Sequence, residues 1–223
     1  MFSKSHAFRN LKRLSTIILV LFLSCRSAPE KTYVRFVTTL GEFVVVLYDE
    51  TPVHKEMFLK AIETEYKNGT EFNRVIESFV IQGGVHDDVT TARLAADPEY
   101  AKNLYLDPEI RDSLFHKKGV LGAGRDDNPG KRSFNNQFYI VQGRVWTDSS
   151  LNALEMNRMQ GKKIPEWKRE VYKTLGGSPH LDGNYTVFGE VVEGIEVIDA
   201  IAAVQTDSTD HPVKKIEVIF KKL

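Results

Sequence analysis

The sequence predicts a mainly β protein: a closed eight-stranded barrel capped by two helices, with two partly helical insertions packed on it. Three observations lead there. Eight short runs carry strand-like apolar patterning, two segments place apolar residues at helical spacing, and 223 residues suit one domain with additions.

The elements follow in order. TYVRFVT (Thr32 to Thr38) and FVVVLY (Phe43 to Tyr48) form a hairpin, with Gly41 supplying the turn. A helix follows, capped by Asp49 or Thr51 and opened by Pro52, with Val53, Met57, Ala61 and Ile62 on its buried face. Asn68-Gly69 ends that unit. The stretch FNRVIESFVIQGG, Phe72 to Gly84, supplies two strands. Further strands fall at Gly119 to Ala123, Gln137 to Gln142, Thr186 to Val192 and Lys214 to Phe220. A second amphipathic helix carries Ile195, Val197, Ile198, Ile201 and Ala202. The insertions are residues 86–118, with helical signals from Thr91 to Tyr105, and residues 148–174, two polar helices separated near Gly161 to Pro165.

The N-terminus stands apart. Lys4, Arg9, Lys12 and Arg13 precede the apolar run Leu14 to Leu23, too short to span a bilayer comfortably but of secretory-signal length. Residues 1–24 are therefore expected to be a signal peptide. Cys25, the single cysteine, follows at once and resembles the lipidated cysteine of bacterial lipoproteins, with residues 25–31 as lipid anchor and tether. One cysteine excludes an intrachain disulfide. Removing residues 1–24 leaves 26 basic against 30 acidic residues, net minus four, which argues against nucleic-acid binding. The expected domain spans residues 32–223, exported and lipid-anchored in the cell envelope or periplasm, and monomeric.

Within Phe72 to Gly84, an arginine and a glutamine sit among apolar side chains. Strict alternation puts Arg74 on one face with Phe72 and Ile76, and Gln82 with Val80. Either Arg74 is a structural ion pair, with Glu71 or Glu77, or it faces something outside the chain.

Three blocks in order, FNRVIESFVIQGG, GVLGAGR…NNQFYIV and PHLDGNYTVFGEVVEGIEVID, resemble the cyclophilin-type peptidyl-prolyl cis-trans isomerases from about Tyr33 onward. The resemblance implies the eight-stranded barrel with two capping helices. It places the catalytic arginine on Arg74, with Phe79 and Gln82 beside it, and pocket residues on Val80, Gln137, Tyr139 and Leu181. Gly124 and Arg125 fall on a neighbouring groove, and Tyr185 replaces a pocket-edge histidine. Val80 stands where eukaryotic members have methionine, Tyr139 where they have phenylalanine, and His180 where they have a tryptophan that binds cyclosporin. The glycine-rich loop that often follows QGGD is replaced by VHDDVTTARL.

The implied chemistry breaks no covalent bond. As an Xaa-Pro amide twists, its nitrogen regains a lone pair, and a donor aimed there stabilises only the twisted state. An always-charged guanidinium suits that task, so no titrating acid or base is expected between pH 6 and 9. The expected partners are proline-containing unfolded or partly folded proteins. The alternative is a non-catalytic module that holds proline segments or partners through its insertions.

Other signals are weaker. GAGRDDNPGKRS has five residues between Gly124 and Gly130, and Arg132 after Lys131, so it fails as a phosphate loop. The histidines at 54, 86, 116, 180 and 211 lack metal-ligand spacing, and no metal or cofactor is expected. Asn68-Gly69-Thr70 and Asn184-Tyr185-Thr186 match glycosylation acceptors but read as turns.

Overall fold

The computed structural model describes residues 31–223; the expected signal peptide, Cys25 and most of the tether lie outside the described residues. Ten strands form: β1 (Thr32–Thr38), β2 (Gly41–Leu47), β3 (Thr70–Ile76), β4 (Val80–Gly84), β5 (Tyr105–Leu106), β6 (Val120–Ala123), β7 (Ser133–Phe134), β8 (Gln137–Val141), β9 (Val187–Glu193) and β10 (Glu217–Lys222). Eight of them close an antiparallel barrel in the order β1-β10-β3-β4-β8-β6-β9-β2, while β5 and β7 pair as a separate ribbon. The expected barrel is present, and the ribbon is an addition.

Alternation divides each barrel strand between two environments. Ile81, Leu121, Phe138, Ile140 and Phe188 point inward to a core dense in aromatic rings. Phe138 meets Phe58, Phe72 and Phe220 edge-on at 5.6–5.9 Å, a geometry that aromatic quadrupoles favour. Their neighbours Val80, Val120, Tyr139, Val141 and Val187 point outward and form a second apolar cluster with Leu181.

Helix α1 (Pro52–Glu63) packs on the core through Phe58 and Ala61, and buries His54. Of the expected face, Ala61 is buried and Ile62 packs against the core, but Val53 is 46% exposed and the first turns bury His54 and Phe58 instead, because Phe58 offers far more apolar area than Met57. Thr51 occupies the N-cap position as expected, but the capping bonds come from elsewhere. Neither Asp49 nor Thr51 caps by side chain; the Glu109 carboxylate accepts from the backbone N–H groups of Val53 and His54, at 3.2 and 2.9 Å. That acceptor, more than fifty residues away, is invisible to a local cap pattern.

Residues 86–118 contain α2 (Asp87–Ala96) and α3 (Pro98–Leu104), and residues 148–174 contain α4 (Asp148–Asn157) and α5 (Glu166–Thr174). The α4–α5 pair has a small core of its own, with Leu151, Leu154, Ile164 and Tyr172 around Phe115 and Trp146. Helix α6 (Ile195–Ala202) buries Val197, Ile198, Ile201 and Ala202 as its spacing predicts. The last strand starts three residues later than expected.

Candidate active site

Arg74 does not share a face with Phe72. Two residues of β3 oppose one of β4 between the pairs Phe72↔Gly83 and Arg74↔Gln82, a bulge that inserts Asn73. Phe72 therefore stays in the core while Arg74 turns outward, its side chain 40% exposed. Asn73 is retained inside by donating its side-chain amide to the Gly84 carbonyl at 3.0 Å.

The cross-strand register then lays out a row over the outer face. Arg74 lies opposite Gln82, Gln82 opposite Tyr139, Tyr139 opposite Gly122, and Gly122 opposite Val187. The row needs a glycine: a Cβ on Gly122 would lie 2.3 Å from the Tyr139 ring. A Cβ on Gly124 would lie 2.9 Å from the Gln137 side chain, so both glycines admit side chains that shape the site.

A cavity of about 310 Å³ opens above this row. Phe79, Val80, Tyr139, Leu181 and Tyr185 give it an apolar wall; Arg74, Gln82 and Gln137 give it a polar one. Gly124 and Arg125 also line it. Arg125 is pinned: its Nε donates to the Asn184 carbonyl at 2.9 Å and its guanidinium lies 4.6 Å from the Tyr185 ring centre.

His180 is the exception among the expected residues. It does not line this cavity but stacks on Phe79, ring centres 5.3 Å apart, because the tight turn Pro179–Leu181 sends consecutive side chains to different sides. The ion-pair partner of Arg74 is neither Glu71 nor Glu77 but Asp210, 3.5 Å from Nε. Glu71 instead meets His86 and Lys215. The Asp210 carbonyl accepts from Val75 N–H at 2.8 Å, which clamps its loop beside β3.

Two features escaped the sequence reading. Asp87, in the first turn of α2, lines the cavity and accepts from Gln137 Nε2 at 2.7 Å, and Gln137 in turn faces Gln82 at 3.4 Å. Beneath the apolar wall, Tyr139 reaches His116, fully buried, which reaches Asp182, which accepts from Tyr172 of α5. Burial alone would raise the Asp182 carboxyl, but the hydrogen bonds from His116 and the nearby Lys168 hold it below the ordinary range. Burial likewise pushes the Tyr139 hydroxyl far up, so it stays protonated. Sequence spacing gave no sign of this network, since its central pair, His116 and Asp182, is 66 residues apart along the chain.

Fold and site define a barrel protein that carries on its outer face an apolar slot beside a half-exposed cation. The comparisons narrow the class. A family model described as cyclophilin type peptidyl-prolyl cis-trans isomerase/CLD matches residues 33–221. A peptidyl-prolyl cis-trans isomerase of Acinetobacter baylyi is 29% identical over 221 residues, covering 96% of this chain and 97% of that one. A Streptococcus pyogenes protein described as a bifunctional phosphatase/peptidyl-prolyl cis-trans isomerase is 30% identical over 83% of this chain, which spans only 37% of that protein's length. Among solved structures, the cyclophilin-type isomerase of Cryptosporidium parvum superposes with a TM-score of 0.58 at 20% identity, covering 86% of this chain and 98% of that one. The same protein in the presence of the dipeptide Ala-Pro gives 0.57. The chain belongs to the cyclophilin-type peptidyl-prolyl cis-trans isomerases.

Proposed function

We propose that this chain accelerates rotation about Xaa-Pro bonds in exported proteins, with Arg74 stabilising the twisted amide. The observation that carries this is the placement of Arg74 and Gln82 in the lining of one cavity together with the apolar side chains of Phe79, Val80, Tyr139 and Leu181. The apolar wall takes the proline ring and anchors one end of the bond. The guanidinium then meets the proline nitrogen as its lone pair emerges, an interaction made in the twisted state and not in the planar one.

Asp210 restrains Arg74 at Nε, which leaves terminal N–H groups free to donate. Gln82, held toward Gln137, is placed to orient the carbonyl that rotates. The uncatalysed barrier is about 18–20 kcal/mol. Lowering it by about 7 kcal/mol brings exchange from minutes to roughly milliseconds, within the reach of one oriented charged donor plus positioning. Arginine does not deprotonate in this range, so the rate stays flat from pH 6 to 9.

The same reading covers location. Residues 1–24 act as an export signal and Cys25 carries lipid, holding a monomeric domain in the cell envelope or periplasm. Mass spectrometry of the mature protein tests this: a lipidated Cys25 terminus supports it, and an intact Met1 overturns it.

For the activity, the full chain in detergent is assayed for cis/trans exchange of an Ala-Pro peptide beside Arg74→Ala. Acceleration by the wild type and its loss in the variant support the proposal. If both fold and neither accelerates exchange, the chain is a proline-segment binding module instead.

A further inference from the structure

The wall that closes the proline slot has a second side. Leu181 and Tyr185 line the slot, whereas His180, Gly183 and Asn184, interleaved with them in sequence, line a separate cavity of about 300 Å³. His180 joins the two by stacking on Phe79. The far wall is the segment after α4, from Arg158 to Lys162, together with Lys131. Lys131 is fixed in place by donating its Nζ to the Gly183 carbonyl at 2.7 Å.

The charge in this cavity is one-sided. Lys131, Arg158 and Lys162 line it, and among the described residues none of the three is in an ion pair with a carboxylate. Asp182 is the one acid on the lining, and it is already engaged by His116, Tyr172 and Lys168. A Cβ on Gly183 would sit 3.3 Å from Lys162 Nζ, so that ammonium lies directly over the loop that forms the slot wall. Burial, and then the nearby Arg158 charge, lower the His180 ring to about 4, so at neutral pH it adds no charge of its own. Like charges gathered without partners repel one another, and an incoming anion relieves this. An extended peptide advances about 3.3 Å per residue, so a residue two or three positions from a proline in the slot reaches past the Phe79–His180 stack.

We propose that this cavity is a specificity subsite that takes the carboxylate of an Asp or Glu side chain, two or three residues from the proline held in the slot. The proposal rests on the slot being the proline site. It gives the α4–α5 segment a part in substrate choice, since Arg158 and Lys162 both lie between those helices.

The test uses peptides identical but for Glu or Gln at each of three positions on either side of an Ala-Pro core. Exchange rates and calorimetric affinities are measured with the wild type and with Arg158→Gln/Lys162→Gln, two exposed positions outside the slot. At one position the wild type favours Glu over Gln by on the order of fivefold at low salt. The preference collapses in the double variant and at high salt, while the Gln peptide behaves alike with both proteins. Equal handling of Glu and Gln at every position, or a preference that survives the double substitution, overturns the subsite. If no peptide exchanges faster with any chain, the isomerase reading fails on its own, and the affinity ratio still decides the subsite.

Discussion

The Tyr139 hydroxyl lies 2.8 Å from Nε2 of His116, a ring with no solvent exposure. Asp182 lies 2.9 Å from Nδ1, so that nitrogen directs its N–H at the carboxylate, and Nε2 shares a hydrogen bond with the tyrosine hydroxyl. A side chain on the wall of the slot is thus tied through His116 and Asp182 to Tyr172 of α5.

Tyr139→Phe separates packing from this bond. The ring still fills the wall, but Nε2 is left buried without a partner, so denaturant unfolding is expected to show a loss of about 1–3 kcal/mol. Exchange activity stays within about threefold, because the hydroxyl points away from the substrate. An unchanged unfolding midpoint would show that the bond contributes nothing net.

Gly122→Ala attacks the same ring from below. With a Cβ 2.3 Å from Tyr139, either the ring or β6 must move, and both alter the slot. A loss of stability of about 1–3 kcal/mol together with at least tenfold weaker exchange is expected. Normal activity in a folded variant would place the proline elsewhere.

Asp210 tests how Arg74 is aimed. The pair is half exposed and contributes little to stability, so its effect should appear in rate. Asp210 sits at φ 65°, which asparagine tolerates better than alanine, making Asp210→Asn the clean substitution. Exchange is expected to fall by roughly three- to tenfold with the unfolding midpoint nearly unchanged. Arg74→Lys should lose more, on the order of a hundredfold, since an ammonium cannot donate from the same fork.

His180 predicts an acid-side stability slope. Its folded-state value is lowered to about 4, chiefly by burial and then by Arg158, from an unfolded value of about 6.5. The unfolded chain therefore takes up a proton that the folded chain refuses. The stability tied to the neutral ring is fully present above about 6.5 and drains away as pH falls toward about 4. His54 is lowered as well, mainly by burial, and adds to the slope. The measurement is thus the difference between wild type and His180→Asn in urea midpoint against pH. Parallel curves across that window would contradict the assignment.

Glu109→Gln removes the charge that caps α1. The carboxylate accepts from two helix N–H groups and pairs with His54 Nδ1 at 2.7 Å. Unfolding experiments are expected to show a loss of about 1–2 kcal/mol at neutral pH.

The eight barrel strands and both capping helices were legible in the sequence because each buries one face, and burial writes a period of two or 3.6 into the chain. Arg74, Gln82 and the apolar slot residues were legible through the three blocks that resemble the cyclophilin family. The side on which Arg74 emerges was not, because a single inserted residue, Asn73, reverses alternation within β3. Nor were the partners of Arg74, of the α1 terminus and of Tyr139. Asp210, Glu109 and His116 each arrive from a remote part of the chain, and hydrogen bonds and ion pairs between distant segments leave no periodic mark. Sequence by itself thus determined which residues form the barrel and which side chains could do chemistry. Tertiary structure decided where they point and what holds them, since register, bulges and long-range polar contacts exist only once the strands have closed.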